Sequence, residues 1–227
     1  MITPLYLLAD SQLLFRQDDR NSLPRRVRAD LPEGEVKAVY IGASNQDQPE
    51  FYDLFLGAMK IMEITRCRMV PARPSPEDRA FFEEADLLLL AGGDVELGWT
   101  AFEQNGMKEL VTRKRYDGAI LIGVSAGAMQ LGRGALSHDP QPKKIPMFGF
   151  APFHVDAHDE KNDWWDLRAV VNLSPAGARG IGIPAGAGAV YWPDGTLEPL
   201  RHPLTELVKE EDGIVERLLV PPAAREV

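Results

Sequence analysis

The stretch that decides the fold is AILIGVSAGAMQLG, residues 119–132, where an apolar run leads directly into a serine flanked by small residues. The apolar run is typical of a buried strand, and the residues after Ser125 are typical of a helix. A sharp turn from strand to helix projects the turn residue above the sheet edge, and glycines nearby permit that turn. The stretch therefore predicts a strand–turn–helix unit with Ser125 exposed at the turn.

Gly123-Val124-Ser125-Ala126-Gly127 fits the G-x-S-x-G pattern of a nucleophile elbow. At such a turn the serine can attack a carbonyl, and the backbone N–H of Ala126 can stabilise the resulting oxyanion. A purely structural interpretation is that the small residues only let a helix pack closely on the sheet. The strand before the serine and the helix after it favour the nucleophile.

Segments on both sides of the elbow alternate between apolar runs and amphipathic stretches. LYLLA (5–9), VKAVYIGAS (36–44) and ADLLLLAGGD (85–94) are typical of strands. After Pro49, one buried helical face is predicted from the i, i+3, i+4 spacing of Phe51, Leu54, Phe55, Ala58, Met59 and Met62. The pattern predicts an α/β fold with a doubly wound, mostly parallel sheet flanked by helices, in a single domain over residues 1–227.

Three finer predictions concern the rest of the chain. One helix carries Phe102, Leu110 and Val111, and the Pro-rich stretch 137–153 is a surface excursion. The strand-like FAPFHVDAH (150–158) and the hairpin-like GAVYWPDGTLEPL (188–200) complete the same sheet.

Composition excludes several classes of protein. The 227 residues carry a net charge of −9, which argues against a general nucleic-acid binder. No apolar run reaches the roughly 18 residues of a membrane span, and the first residues lack the basic lead of a secretion signal. A single cysteine, Cys67, excludes an internal disulfide and a cysteine-rich zinc site. We expect a cytoplasmic protein without metal or cofactor.

A nucleophilic serine needs a base. In FHVDAH, alternation puts His154, Asp156 and His158 on one side of an extended segment, with His158 nearest its carboxyl end. Parallel sheets gather active-site groups at that end, although the spacing alone does not separate the two histidines. The turn Gly92-Gly93, which ends a neighbouring strand, can point N–H groups toward the same edge.

The motifs LLADSQLLF, ADLLLLAGGDVE, LIGVSAGAMQLG and FGFAPFHVDAH, in this order and spacing, resemble the peptidase E and cyanophycinase family of serine peptidases. The resemblance extends from the first strand to about Tyr191. It implies the flavodoxin-like sandwich of class I glutamine amidotransferases, with Ser125 as nucleophile, His158 as base, and the backbone of Gly93 and Ala126 as oxyanion donors. The implied activity is removal of an N-terminal aspartate from a dipeptide, or cleavage of aspartyl-linked chains such as cyanophycin.

One departure from the family pattern concerns the third member of the triad. Similar proteins carry a glutamate in a Gly-Leu-Pro-Glu-Gly turn that orients the histidine, whereas GIGIPAGAGAV (180–190) places Ala185 there. A methyl group cannot accept the imidazole N–H. The carboxylates that could replace the glutamate are those of Asp156, Asp159, Glu160 and Asp194. Of these Asp156 shares the face of the histidine, so we expect Asp156 or a backbone carbonyl to take this role.

Four residues are predicted to bind substrate: Gly92, Asp94, His154 and Arg168. Similar proteins have an arginine at the position of Arg168, and a guanidinium would hold an acidic substrate residue. Arg168 can equally be an exposed helix charge lying over Trp164 or Trp165. Asp94 could instead bind a basic group, such as a free amino terminus.

Three functions are consistent with these residues. The first is a serine peptidase or amidase acting on small peptides, with a homodimer as a candidate assembly and no nucleic-acid or membrane partner. The second is a non-catalytic relative that binds a ligand or partner, which Ala185 supports. The third is an α/β-hydrolase-type esterase using Ser125, Asp194 and His202, although the chain lacks the HGGG-type oxyanion loop of such enzymes.

Overall fold

The computed structural model of the chain describes residues 2–17, 22–138, 140 and 142–222. Its strands are β1 (Leu5–Leu8), β2 (Lys37–Ile41), β3 (Arg66–Val70), β4 (Leu87–Leu90), β5 (Ile120–Val124), β6 (Gly134–Leu136), β7 (Lys144–Pro146), β8 (His154–Ala157), β9 (Arg179–Ile183), β10 (Gly188–Tyr191), β11 (Leu197–Leu200), β12 (Leu204–Glu210) and β13 (Gly213–Leu219). Its α-helices are α1 (Leu23–Asp30), α2 (Pro49–Ile61), α3 (Pro76–Glu83), α4 (Val95–Gln104), α5 (Met107–Asp117), α6 (Ala126–Leu131) and α7 (Trp165–Asn172). Short 3-10 turns cover Ser11–Phe15, Ala43–Asn45 and Glu160–Asn162.

The central sheet has the strand order β11-β10-β1-β5-β4-β2-β3. Five neighbouring strands run parallel, in the order β1, β5, β4, β2 and β3. The β10–β11 hairpin pairs with the edge of β1 in antiparallel orientation. The predicted α/β fold with a mostly parallel sheet is confirmed.

Both faces of the central sheet are buried. Leu5 and Leu7 of β1 face the core that includes residues of α4, α5 and α6, whereas Tyr6 and Leu8 face the core that includes residues of α1 and α2. Burial on both faces explains why the central strands are apolar without alternation, as in Leu87–Leu90. The doubly wound arrangement predicted from the sequence is therefore confirmed.

The placement of FAPFHVDAH in the central sheet is wrong. β8 pairs with β9 in a separate four-stranded sheet of order β13-β12-β9-β8, and the β6–β7 hairpin is a third small sheet. β8 lies against α6, so the second sheet packs on the helix that follows Ser125. Hydrophobic alternation identifies a strand but does not specify which neighbour it pairs with.

Two other segments differ from the predictions. The helix that was expected to carry Phe102 and Leu110 is divided into α4 and α5 at Gly106, whose φ of 68° no continuous helix allows. The excursion at 137–153 is partly internal, because Phe153 is fully buried and the Phe148 ring packs edge-on against Trp99, 5.0 Å away. Within the described ranges, no helix combines the length and apolar character needed to cross a membrane.

The helix after Ser125 lies very close to the sheet. A Cβ atom at Gly127 would lie 2.1 Å from the carbonyl oxygen of Leu90 on β4, and one at Gly123 would lie 2.6 Å from the backbone of Gly127. Both distances are far inside van der Waals contact, so α6 can occupy this position only with glycine at 123 and 127.

We predict that Gly127→Ala lowers the free energy of unfolding by roughly 3 kcal/mol or more, because backbone atoms rather than a flexible side chain must move. Gly57→Ala in α2 is the matched control, since its new methyl group meets only the ring of Phe15, at 3.3 Å. The control should be neutral or should stabilise by roughly 0.5–1 kcal/mol through helix propensity. Urea unfolding followed by tryptophan fluorescence measures both values, and equal effects would contradict the packing argument.

Candidate active site

Ser125 lies at the carboxyl end of β5, immediately before α6. Its N–H donates to the carbonyl of Leu8 on β1 at 2.8 Å, which fixes the turn to the neighbouring strand. Its φ of 50° and ψ of −113° are rare for a residue other than glycine. Strain of this kind is typical of functional turns and exposes the hydroxyl at the edge of the sheet.

His158 follows β8 and also has a left-handed φ, 50°. Its backbone N–H donates to the carbonyl of Ile183 at the end of β9, at 2.8 Å. Its Nε2 lies 2.8 Å from Ser125 Oγ. If the hydroxyl donates to Nε2, the imidazole carries its own proton on Nδ1. The pair is therefore arranged for transfer of the serine proton to the imidazole.

Two backbone N–H groups next to this pair are available to an oxyanion. The N–H groups of Gly93 and Ala126 have no hydrogen-bond acceptor in the part of the chain that the structure describes. The turn that contains Gly93 adjoins the serine, because a Cβ at Gly92 would lie 3.3 Å from Ser125 Cβ. These are the two donors that the sequence resemblance implies.

A buried polar contact holds the glycine turn against the serine helix. Ser44 accepts the N–H of Asp94 through its carbonyl at 2.8 Å, and its hydroxyl accepts from Gln130 Nε2 at 3.0 Å. Gln130 lies on α6, is fully buried, and also donates to the carbonyl of Val95 at 3.1 Å. Sequence reasoning missed both side chains, although a glutamine inside the apolar stretch AMQL was a signal.

The structure does not bring Asp156 to the histidine. Asp156 is 6% exposed, its Oδ1 accepts the N–H of Ala157 at 2.8 Å, and its Oδ2 has no hydrogen-bond partner among the described residues. Burial raises the pKa of this carboxyl to about 7. The prediction of Asp156 as the third catalytic member is therefore wrong. The alternation rule stops at Ala157, since the left-handed turn at His158 redirects the chain.

His154 also lies away from the serine. It is fully buried, its Nδ1 donates to the carbonyl of Gly134 at 2.8 Å, and its Nε2 lies 3.0 Å from Ser174 Oγ. Burial lowers the pKa of this imidazole. His154 is thus a packed core residue, and the prediction that it binds substrate is wrong.

Two carboxylates approach the turn that contains Ala185. Glu160 Oε1 accepts the N–H of Ala185 at 3.4 Å, and Asp10 Oδ2 accepts the N–H of Gly186 at 2.6 Å. Glu160 reaches this turn because the chain reverses after β8 into the 3-10 turn Glu160–Asn162. In the described residues, no side chain forms a hydrogen bond with His158 Nδ1.

Arg168 and Asp94 do not line the cavity beside Ser125. Arg168 forms ion pairs with Asp163, at 3.2 Å, and with Glu216 of β13. Asp94 caps α4, its Oδ1 accepting the N–H groups of Glu96 and Leu97 at 2.9 Å each. Both charges are committed to the protein's own structure, so these two substrate-binding predictions are wrong, whereas Gly92 does lie beside the serine.

The residues of the alternative esterase triad are also apart from the serine. Asp194 Oδ1 accepts the N–H of Thr196 at 2.8 Å within the β10–β11 turn, as the hairpin pattern indicates. His202 lies in the turn between β11 and β12, and the imidazole that meets Ser125 is that of His158. The order Ser125, Asp194, His202 is therefore not assembled.

A cavity of about 270 Å³ opens beside Ser125 and His158. Its wall is formed by the 3-10 turn after β1, the amino-terminal half of α2 and the ends of β2, β4 and β5. The larger apolar residues that line it are Leu14, Phe15, Tyr40, Phe51, Leu54, Phe55, Leu89 and Val124.

No family model matches this chain, and no curated protein matches its sequence. Solved structures do share its fold. A peptidase from an acI-B1 actinobacterium is similar with a TM-score of 0.71 and 17% identity, over 97% of this chain and 95% of that one. A Listeria monocytogenes EGD-e protein provisionally named as a peptidase E has a TM-score of 0.57 and 12% identity, over 96% of this chain and all of its own. At these identities the likeness establishes the fold.

The raised pKa of Asp156 predicts a pH-dependent stability. The folded protein keeps this proton at pH values where the unfolded chain, with a pKa near 3.8, has lost it. Stability therefore falls as pH rises from about 4 to about 7, and Asp156→Asn should remove that loss. At about pH 8 the free energy of unfolding of the variant should exceed that of the parent by roughly 1–3 kcal/mol. This is less than the value that follows from the pKa shift alone, because the N–H groups of the new amide need hydrogen-bond partners.

Urea unfolding at about pH 4 and about pH 8 measures this difference. Asp53→Asn, on the exposed face of α2, is the matched control. An equal difference between Asp156→Asn and the parent at both pH values would contradict the assignment.

Proposed function

We propose that this protein is a serine hydrolase that cleaves small peptides or related amides, with Ser125 as nucleophile and His158 as general base. The observation that carries the proposal is the 2.8 Å contact between Ser125 Oγ and His158 Nε2 at the carboxyl edge of the sheet. Similar solved structures described as a peptidase and, provisionally, as a peptidase E give further support.

In the first half of the reaction, Ser125 Oγ attacks the substrate carbonyl carbon while its proton passes to His158 Nε2. The negative charge that forms on the carbonyl oxygen is stabilised by the N–H groups of Gly93 and Ala126. The carbon–nitrogen bond then breaks, and the proton on Nε2 moves to the departing amine. The product amine leaves, and the acyl group remains as an ester on Ser125.

In the second half, water attacks the ester carbonyl and gives one proton to His158 Nε2. The bond from carbon to Ser125 Oγ breaks, and Oγ recovers that proton. The carboxylic acid is released, and the serine–histidine pair returns to its starting state. Both steps require the imidazole to hold its other proton on Nδ1.

Glu160 is the carboxylate that we propose as the positioning residue for this tautomer. It lies two residues after His158 and already reaches the Ala185 turn, where the resemblance places the family glutamate. Its side chain is exposed, and the proposed role requires it to turn so that a carboxylate oxygen accepts the proton on Nδ1. Asp10 is less suited, because Gly186 and Gln12 N–H groups already bind both of its oxygens.

A non-catalytic binding protein is the second candidate. It is favoured by Ala185 and by the lack of a side-chain hydrogen bond to His158 Nδ1 in the described residues. Such a protein would keep the cavity and the serine but would not turn over substrate. Active-site labelling separates the two functions, because a fluorophosphonate reacts only with an activated serine.

We predict that a fluorophosphonate labels the parent protein at Ser125 and that Ser125→Ala abolishes both labelling and hydrolysis. His158→Ala should lower kcat by roughly 1,000-fold or more, because the serine loses its base. His202→Ala, which changes a histidine outside the site, is the control and should retain activity. Each variant should keep the melting temperature of the parent within a few degrees. Turnover that survives Ser125→Ala would exclude this mechanism.

The proposed role of Glu160 predicts that one substitution lowers kcat and that a second substitution restores it. Glu160→Gln can still accept from Ala185 through its amide oxygen, but it loses the charge that stabilises the imidazolium. We expect kcat to fall by roughly 10- to 1,000-fold with little change in KM, less than the roughly 10,000-fold seen when a triad acid is replaced by its amide. The double variant Glu160→Gln/Ala185→Glu should recover kcat, because the carboxylate then comes from the turn itself. Unchanged kcat in Glu160→Gln would show that no carboxylate at 160 assists the histidine.

A further inference from the structure

The cavity beside Ser125 has an apolar wall that the sequence does not predict. Phe51 and Leu54 share the spacing of the buried face of α2, yet they are 44% and 48% exposed. Both lie at the cavity, whereas Phe55, one residue further along the helix, is buried beneath it. The exposure of two large apolar side chains at one cavity indicates a surface that an apolar ligand covers.

The wall is supported by an aromatic cluster and has few free polar groups. The rings of Tyr40, Tyr52 and Phe55 pack with centroids 5.5–5.8 Å apart. The Tyr40 hydroxyl accepts from Asn45 Nδ2 at 2.8 Å, so each of these two polar groups has a hydrogen-bond partner within the protein. The Asp10 carboxylate at the rim is bound by backbone N–H groups.

No lysine or arginine side chain is among the described residues that line this cavity. A substrate carboxylate placed there would lose its hydration without gaining a cationic partner, which is costly. Arg168, which the family resemblance would assign to an acidic substrate residue, is bound to Asp163 and Glu216 instead. The site is therefore poorly suited to an N-terminal aspartate.

The geometry of the reaction decides which part of a substrate enters the cavity. His158 must protonate the leaving amine, so the leaving group lies on the side of the imidazole. In the proposed mechanism the carbonyl oxygen of the acyl portion lies at the N–H groups of Gly93 and Ala126, and Gly92 and Gly93 also line the cavity.

We propose that this cavity is the acyl-side subsite and that it takes one large apolar side chain, of the size of leucine or phenylalanine. The inference rests on the proposed hydrolase function and specifies its substrate class. A volume of about 270 Å³ accommodates one such side chain rather than an extended peptide.

The test uses aminoacyl 4-nitroanilides of phenylalanine, leucine, alanine and aspartate with the full chain, after fluorophosphonate titration of the active serine. We expect kcat/KM for phenylalanine and leucine to exceed that for alanine by roughly 10- to 100-fold, the effect of burying a large apolar side chain. Aspartate should be the poorest of the four. Boronic acids with the same side chains, competing against the fluorophosphonate, should give the same ranking without turnover.

Leu54→Arg tests the cavity directly, since it places a guanidinium at the mouth on a side chain that is already half exposed. The variant should lower the ratio of kcat/KM for the phenylalanine substrate to kcat/KM for the aspartate substrate by roughly 10-fold or more. Leu56→Arg is the matched control, because Leu56 lies on the same helix, is 37% exposed, and does not line the cavity. The control should leave this ratio within roughly 2-fold of the parent, as surface changes away from a site usually do.

The outcomes separate this inference from the function on which it rests. Two outcomes would overturn the apolar subsite and leave the hydrolase function intact. In both, Ser125 is labelled; in one the enzyme prefers aspartate, and in the other neither hydrolysis nor boronate binding depends on the side chain. A failure of labelling, hydrolysis and boronate binding alike would overturn the hydrolase and the subsite together. An unchanged ratio in Leu54→Arg would show that the subsite lies elsewhere around Ser125.

Discussion

The close contact of α6 with the central sheet is the constraint on which the rest of the site depends. The backbone of Gly127 lies against the carbonyl of Leu90, in a space that no Cβ could share. This contact forces the chain to turn within one residue after β5, and Ser125 takes the strained conformation that such a turn requires. The same contact brings Gln130 to Ser44, and so the glycine turn that adjoins the serine is held in place. The close approach of the helix to the sheet and the turn that presents Ser125 are thus two consequences of one packing arrangement.

The serine and the histidine come from two different sheets. Ser125 is bound to β1 of the central sheet, and His158 to the end of β9 in the second sheet. The short distance between Ser125 Oγ and His158 Nε2 therefore depends on how the second sheet packs on α6. The geometry of the serine–histidine pair is a property of that interface, because neither sheet alone contains both groups.

The proposed apolar subsite rests on how charged and apolar side chains are distributed around the cavity. Arg168 is drawn to the surface by two carboxylates, while α2 presents apolar side chains beside the serine. In the proposed mechanism, the fold determines where the acyl group is attacked. In the proposed subsite, the side chains of α2 and of the turn after β1 determine which acyl group is held there.

The sequence by itself determined the α/β class, the elbow at Ser125 and the β10–β11 hairpin. These features follow from periodicity and from glycines at fixed offsets, which are local properties of the chain. Only the tertiary structure decided that β8 leaves the central sheet, that Asp156 and His154 face away from the serine, and that Phe51 and Leu54 line a cavity. Each of these depends on contacts between residues far apart in sequence, or on a single left-handed residue such as His158 that ends the alternation. Periodicity in the sequence indicates which side chains are apolar and which of them share a face. Which element covers that face depends on the packing of the whole chain.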